Sequence, residues 1–509
     1  MKDTYYITSA IYYVNDVPHV GHTYEIVVCD VIARYHRLRG EKVFFLTGSD
    51  EHSQNVARAA EERGLTPQEW TDQIVPVWQQ VWRRLQVTND DWIRTSDQRH
   101  VSRVQEFMQV LHDRGDIYPG TYEGPYCVSC EEFKVESELV DGKCPIHLIP
   151  VTFVSEENYF FRLSKYQDDL LRLFEDEARF VVPEIRRNEV IAFVRSGLRD
   201  LSVSRAAALW GVPIPWDPKQ VTYVWVDALL NYLTAPGYSA EPERFASIWP
   251  ADVHMVGKDI TRFHAVIWPA MLMAAGVAPP RSVCAHGFLS FRGRKMSKSL
   301  GTGIDPNEVL DRFGADGYRW YFLREVQFGQ DGDFTWESMR NRYNAELANG
   351  LGNLASRVLA MAGSYFDAQV PRPSTREGTG RLAATGADLA KRFDDHMLNL
   401  ELNEAFEALD GFVRAANRFL VEVAPWTMAK DPSRRQELAD VLYETLEGLR
   451  IVALLAAPAI PEAAARLWDQ LGMAGPITDE RVPEAAGWGR IEPGTRTRKG
   501  DPLFPRLEE

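Results

Sequence analysis

TYYITSAIYYVNDVPHVGHTYEIVVCDVIARYHRLR, residues 4–39, is the stretch on which the fold turns. Residues 4–10 (TYYITSA) are β-branched and aromatic, the composition of a buried strand. A polar turn with Asn15, Asp16 and Pro18 follows, then His19-Val20-Gly21-His22, then apolar residues at 20, 24, 27, 31, 35 and 38, the three-and-four spacing of one helical face. HVGH therefore sits where a strand hands over to a helix. Such a junction has unpaired backbone N–H groups and the positive end of a helix dipole, which suits a phosphate. His19 and His22 lie one turn apart and are placed to donate to phosphate oxygens, while Gly21 has no side chain to keep a flat base off the backbone.

On its own, a four-residue HxGH is a weak signal, better read as two histidines that happen to begin a helix. A second motif changes the reading: RKMSKS at residues 294–299, in a glycine-flanked segment, offers Lys295 and Lys298 to the same phosphates. This pair, in this order, resembles the class I aminoacyl-tRNA synthetases. Residues taken up below narrow the resemblance to the methionyl-tRNA synthetase family, and it runs over essentially the whole chain.

At 509 residues the chain is too long for one ordinary core, so two to four domains are expected. Hydrophobic content of 45% and charged content of 25% are globular values, which excludes a disordered or fibrous class. A net charge of −15 argues against nonspecific binding to nucleic acid but leaves room for a local contact. Asp3, Asn15 and Asp16 break the N-terminal apolar run, so no signal peptide is read there. Apolar runs such as 451–460 fall short of the ~20 residues that cross a bilayer. A cytoplasmic protein with no membrane association is expected, and its five cysteines fit a reducing compartment.

Residues 43–46 (VFFL) read as a second buried strand, ending near Asp50-Glu51-His52. Alternation of strand and helix implies a parallel sheet with ligands at the carboxyl ends of its strands. Helices are expected over 67–85 and 97–114. From 116 to about 218 the pattern shifts to short segments rich in Gly, Pro and Cys, read as an insertion that splits the nucleotide fold. It carries Cys127-x2-Cys130 and, thirteen residues on, Cys144-x2-His147; two such knuckles supply four ligands, a closed structural zinc site. Cys29 and Cys284 read as core. The nucleotide fold resumes with 222–226 (TYVWV) and 253–256, followed by Gly257-Lys258-Asp259 and a helix over 260–275. Residues 282–291 lead into KMSKS, and beyond 335 the pattern is helical, with a Pro/Ser/Gly linker at about 369–380. The expected architecture is α/β: a Rossmann-like parallel-sheet domain (1–115 and 219–281) split by a zinc-binding insertion (116–218), a KMSKS and stem-contact region (282–345), and an all-α bundle (346–509). Gly350-x-Gly352-x-x-Ala355 matches a loose dinucleotide fingerprint but lies in a helical pattern, not after a strand.

The resemblance implies a methionine–tRNA ligase that uses ATP, with Mg2+, to form methionyl-adenylate and then charges initiator and elongator tRNA(Met). Negative charge spreading over the phosphates needs positive donors, for which the family match points to His19, His22, Lys295 and Lys298. Gly21, Met296, Ser297 and Ser299 complete the implied ATP site. Val20 stands where Ile or Leu is usual. The implied methionine site comprises Ala10, Ile11, Tyr13, Trp225, Ala228, Tyr232 and His264 as an apolar aromatic cage, with the Tyr232 hydroxyl and the His264 imidazole donating weakly to sulfur. Asp50 would hold the ammonium and Arg205 would hold Asp50; Leu229 replaces a proline found in some members. In the tail, Asn353 and Arg357 match base-reading residues of the family's anticodon-binding bundle and Trp426 matches a stacking residue. The chain ends LFPR at 503–506, as short members do, and a monomer is expected.

Competing readings are a cysteinyl, leucyl, isoleucyl or valyl enzyme of the same class, a small nucleotidyltransferase using HxGH alone, and a noncatalytic tRNA-binding paralogue. The length leaves little room for the large editing insertion usual in the leucyl, isoleucyl and valyl enzymes, and the cysteinyl enzyme places zinc in its amino-acid site. The helical tail argues against the nucleotidyltransferase, and intact HVGH and KMSKS against the paralogue.

Overall fold

The computed structural model describes residues 2–134, 136–145, 148–206, 210–295, 303–327, 329–375 and 380–508. The chain forms two compact units: Met1–Cys29, Lys42–Arg83 and Val87–Gly287 in the first, and Asp30–Glu41, Arg84–Gln86 and Phe288–Glu509 in the second. Among the described residues, no helix is long and apolar enough to cross a membrane.

The first unit is built on a six-stranded parallel sheet in the order Asp91–Arg94, Lys42–Asp50, Thr4–Tyr13, Val253–Gly257, Val283–His286, Val181–Val182. The opening stretch supplies its central strand, three residues longer than the 4–10 expected from composition. From that strand the chain moves outward on one side through Lys42–Asp50 and later on the other through Val253–Gly257. That reversal leaves a crevice at the carboxyl ends, where Tyr13, Asp50 and Gly257 lie. A register shift between Thr8 and Ile11 bulges the first strand just where the cage residues Ala10 and Ile11 sit.

The helix Val20–Leu38 begins inside HVGH, and its stripe of Val20, Tyr24, Val27, Val31, Tyr35 and Leu38 is buried, as the spacing requires. The helices Pro67–Arg84 and Gln98–Asp113 fall within a residue of expectation. Gly115, just past the second, takes φ +75°, the left-handed turn that glycine allows. Cys29 and Cys284 are core, both fully buried.

One sequence expectation needs correction here and one is refined. TYVWV, where the nucleotide fold is expected to resume, adds no strand to the parallel sheet. Its first residue, Thr222, ends a strand, Asp217–Thr222, in a separate three-stranded sheet, and Val224–Leu229 is a short helix. A short buried apolar run does not distinguish strand from helix by its period, and Asp227, the residue that follows it, is held by tertiary contacts described below. Nor does everything between 116 and 218 stand apart from the nucleotide sheet, because Val181–Val182 pairs parallel with Val283–His286. The rest of that stretch includes a four-stranded antiparallel sheet in which Ile117–Cys127 pairs with Thr152–Phe161.

In the second unit, Leu289–Phe291 pairs with Arg294–Lys295 and Gly332–Phe334, and long helices follow, among them Asn353–Phe366, Arg381–Leu398, Leu402–Val423 and Arg435–Ala456. The last is apolar on nearly every side over its second half, as the central helix of a bundle must be. Gly350 and Gly352 lie in a π-helical segment, Tyr343–Gly352, which disposes of the dinucleotide match.

Candidate active site

At the crevice, the strand end, the polar turn and the helix start bring the two histidines of HVGH face to face. Their rings stack with centroids 3.8 Å apart and 23° between planes. His19 Nδ1 accepts the Gly21 amide at 3.1 Å and His22 Nδ1 accepts the His19 amide at 3.2 Å. In a neutral ring, each of these bonds places the proton on Nε2, so both rings present a donor there. His22 also leans on Trp78, with centroids 4.9 Å apart, and on Tyr12. A Cβ at Gly21 would lie 2.8 Å from His19 Cε1, so the glycine makes room for the His19 ring itself, a tighter reason than the approach of a base.

Glu25, one turn beyond His22, ties three pieces of the site together. Its carboxylate accepts the Ala10 amide and the Tyr12 hydroxyl, each at 2.8 Å, and pairs with His286 Nε2 at 2.8 Å. Burial lowers the His286 pKa, but Glu25 outweighs it and raises the imidazole above its ordinary value. Sequence reading passed over Glu25, although an acid one turn into a helix with so apolar a face is the signal that finds it.

The implied methionine residues come together in the first unit. Trp225 stacks on Phe263 at 4.2 Å and 15°, and Tyr13 meets Trp225 edge-on at 6.1 Å. Ala10, Ala228, Tyr232 and His264 are buried, and Ile11 is half-buried. The Tyr232–His264 pair differs from expectation. His264 Nδ1 donates to the Ile260 carbonyl at 3.0 Å, so Nε2 of the neutral ring accepts the Tyr232 hydroxyl at 2.9 Å. Their protons are spent on each other and on the backbone rather than left for sulfur. Burial pushes the His264 pKa down to about 4, which keeps this wall of the cage neutral.

Asp50 is 2% exposed, and its Oδ1 has no hydrogen-bond partner among the described residues. Arg205 does not hold it. That guanidinium donates to Glu156 at 2.9 and 3.0 Å and stacks over Tyr126 at 4.3 Å. No spacing in the sequence could have set Glu156 against Asp50 as its partner.

Cys127, Cys130 and Cys144 form one buried cluster with all Sγ atoms within 4.8 Å of one another. Three thiols packed this closely fit a thiophilic divalent cation. Burial, with hydrogen bonds to Cys144 and Cys127, pushes the Cys130 thiol up, a penalty that a bound cation removes. His147 lies outside the described residues. The knuckle also braces the cage, because the Cys130 carbonyl accepts Trp225 Nε1 at 3.2 Å and the Glu131 carbonyl accepts the Tyr223 hydroxyl at 2.7 Å.

Of KMSKS, only the backbone of Lys295 is described, opposite Ser290; Met296, Ser297, Lys298 and Ser299 lie outside the described residues. In the second unit, Asn353 and Arg357 share one face of their helix, and the Arg357 guanidinium lies 5.7 Å over the Trp426 ring. Asn353 is exposed, and Trp426 is 41% exposed, uncommon for so large an apolar side chain.

A family model described as tRNA synthetases class I (M) matches residues 5–151 and 149–359, and one described as the anticodon binding domain of methionyl tRNA ligase matches 373–509. A methionine–tRNA ligase of Streptomyces coelicolor is 51% identical over 521 aligned residues, covering 99% of this chain and 97% of that protein. One from Caldanaerobacter subterraneus is 46% identical, covering all of this chain and 80% of its own length. The solved Mycobacterium tuberculosis methionyl-tRNA synthetase in complex with methionyl-adenylate superposes with a TM-score of 0.95 at 44% identity, over 99% of this chain and all of that one.

Proposed function

Because the chain belongs to the methionyl-tRNA synthetase family of class I aminoacyl-tRNA synthetases, we propose how its own residues carry out a methionine–tRNA ligase's two steps. It activates L-methionine with ATP, releasing pyrophosphate, and passes the methionyl group from the adenylate to the 3′ end of tRNA(Met).

In activation, a methionine carboxylate oxygen attacks the α-phosphorus and the bond to pyrophosphate breaks, with Mg2+ accompanying the ATP. His19 and His22 donate through Nε2 to the phosphates at the start of the first helix, where backbone N–H groups and the helix dipole add to them. Lys295 and Lys298 of KMSKS, with Met296, Ser297 and Ser299 beside them, act on the same developing charge. Methionine lies with its thioether against Ile11, Trp225, Ala228 and the neutral Tyr232–His264 pair, and with its ammonium on Asp50. The observation that carries this reading is the buried, unpartnered Asp50 Oδ1, set next to an aromatic cage. An orphaned buried carboxylate oxygen is costly unless a cation completes it.

A zinc ion held by Cys127, Cys130, Cys144 and His147 would be structural, since four protein ligands leave no position for a catalytic water. Asn353 and Arg357 bond anticodon bases while Trp426 stacks on one of them, and the protein works as a monomer. The test is charging of tRNA bearing a CAU anticodon with labelled methionine. Adenylate formation without transfer to that tRNA, or charging of tRNAs irrespective of anticodon, would overturn the reading.

A further inference from the structure

A carboxylate that holds an ammonium must itself be ionised, and Asp50 sits among other acids. Burial first, then the charges of Asp227, Glu131 and Glu51, push its carboxyl well above the ordinary range. Each of those neighbours has its own compensation. Glu51 is gripped by Arg94 through Nε at 2.6 Å and Nη2 at 3.0 Å. Glu131, which burial still raises, is offset in part: it accepts the Ser53 hydroxyl at 2.7 Å and the Asn55 amide at 2.9 Å, with the Arg205 charge beyond it. Tyr13 faces Asp50 as a buried phenol.

Asp227 is compensated by two imidazoles. His52 Nδ1 donates to its Oδ2 at 2.7 Å and His100 Nε2 donates to its Oδ1 at 2.8 Å. The Thr234 hydroxyl donates to the Leu230 carbonyl at 3.1 Å, so its oxygen accepts His100 Nδ1, also at 3.1 Å, and both nitrogens of that ring donate. Asp227 and His100 are fully buried and His52 is 7% exposed. Burial alone would raise the Asp227 carboxyl; the two imidazoles instead hold it at about 2.

We propose that His52 and His100 are positioning residues for the substrate ammonium: by offsetting Asp227 they leave Asp50 as the carboxylate of the cluster with a buried oxygen that no described residue partners. The same grip fixes the helix Val224–Leu229, which carries Trp225 and Ala228, against the strand end that carries Asp50 and against the helix Gln98–Asp113. His52 lies two residues beyond Asp50 and Asp227 two beyond Trp225, so the hydrogen bond between them sets ammonium holder and cage wall in one register. The inference rests on Asp50 as the ammonium site.

Methionine-dependent ATP–pyrophosphate exchange across about pH 5.5 to 8.5, run on wild type, His52→Asn and His100→Gln, tests it. Asn retains an N–H near the place of Nδ1 and Gln one near Nε2, so one hydrogen bond to Asp227 survives while the imidazole goes; if one variant does not fold, the other carries the test. With Asp227 less well offset, Asp50 ionises less readily. The expected result is a KM for methionine raised about tenfold at the acid end, with the acid limb of 1/KM moved up by about one pH unit. The kcat at saturating methionine should stay within about twofold. A KM raised equally at every pH, or a kcat that falls with KM unchanged, would mean that the histidines only pack, and would overturn the proposal. Wild type without methionine-dependent exchange would overturn the assignment of the site itself, a different failure.

Discussion

The proposed amino-acid site and the proposed base-reading face of Asn353, Arg357 and Trp426 are built in opposite ways. In the first, almost every group is buried and bonded: Tyr232 to His264, Glu25 to His286, Asp227 between two imidazoles, with Asp50 Oδ1 left over. In the second, a large indole stands in solvent beside a guanidinium and an exposed amide. A small apolar amino acid offers little to grip, so it is selected by a desolvated cavity whose walls cannot relax. An unpaired base brings its own π-face and polar edges, and an exposed platform is enough.

Removing the leftover charge should hurt most. Asp50→Asn is expected to lower kcat/KM for methionine in ATP–pyrophosphate exchange by about 10²–10³, since breaking one partner of a buried pair costs about 3–5 kcal/mol. Charging should fall in parallel, because both steps need bound methionine. A loss confined to charging would move Asp50 out of the amino-acid site.

Trp426→Ala breaks the comparison from the other side. Losing a stacking platform costs about 1–3 kcal/mol per base, so kcat/KM for charging should fall about ten- to a hundredfold. Exchange should be nearly unchanged, and the loss should not multiply with that caused by altering the CAU anticodon. If exchange and charging suffer alike, Trp426 is part of the bundle's packing.

Zinc removal should act less than either, because the knuckle supports the cage from outside, through the Cys130 and Glu131 carbonyls. One zinc per chain is expected. A chelator should raise KM for methionine by a few-fold, about 1 kcal/mol for loosening one hydrogen-bonded support, and leave anticodon discrimination intact. Metal analysis finding no zinc in gently purified protein, or two ions per chain, would contradict the four-ligand site.

A further effect is on stability rather than on kinetics. His264 titrates at about 4 in the folded chain against about 6.5 when unfolded, so between those values the unfolded state binds more protons. Its contribution is therefore fully present above pH 6.5 and drains away as pH falls toward 4, by about 1.4 kcal/mol per pH unit. Denaturant titration should show that slope in wild type and a shallower one in His264→Phe. Equal slopes would mean that the ring is not held neutral.

What the sequence made legible follows the same division. The central strand, its turn and the first helix could be read because a strand of β-branched residues and a three-and-four stripe are local signals. The three-cysteine cluster was readable because ligand spacing is local too. Partnerships between distant acids and bases were not. Arg205 was set against Asp50 and pairs instead with Glu156, and Asp227 went unnoticed inside an apolar run although a lone acid there demands partners. TYVWV hid its helix for a related reason: nothing in so short and mostly apolar a run says that the next residue, an aspartate, will be drawn between two histidines.

The most direct measurement of the cage and its charge is ATP–pyrophosphate exchange against all twenty amino acids. Methionine alone should support strong exchange. Leucine, isoleucine and the other near-isosteres should do so at least about tenfold less, each group misplaced in an apolar pocket costing about 1–3 kcal/mol. Exchange with another amino acid as fast as with methionine would contradict the account.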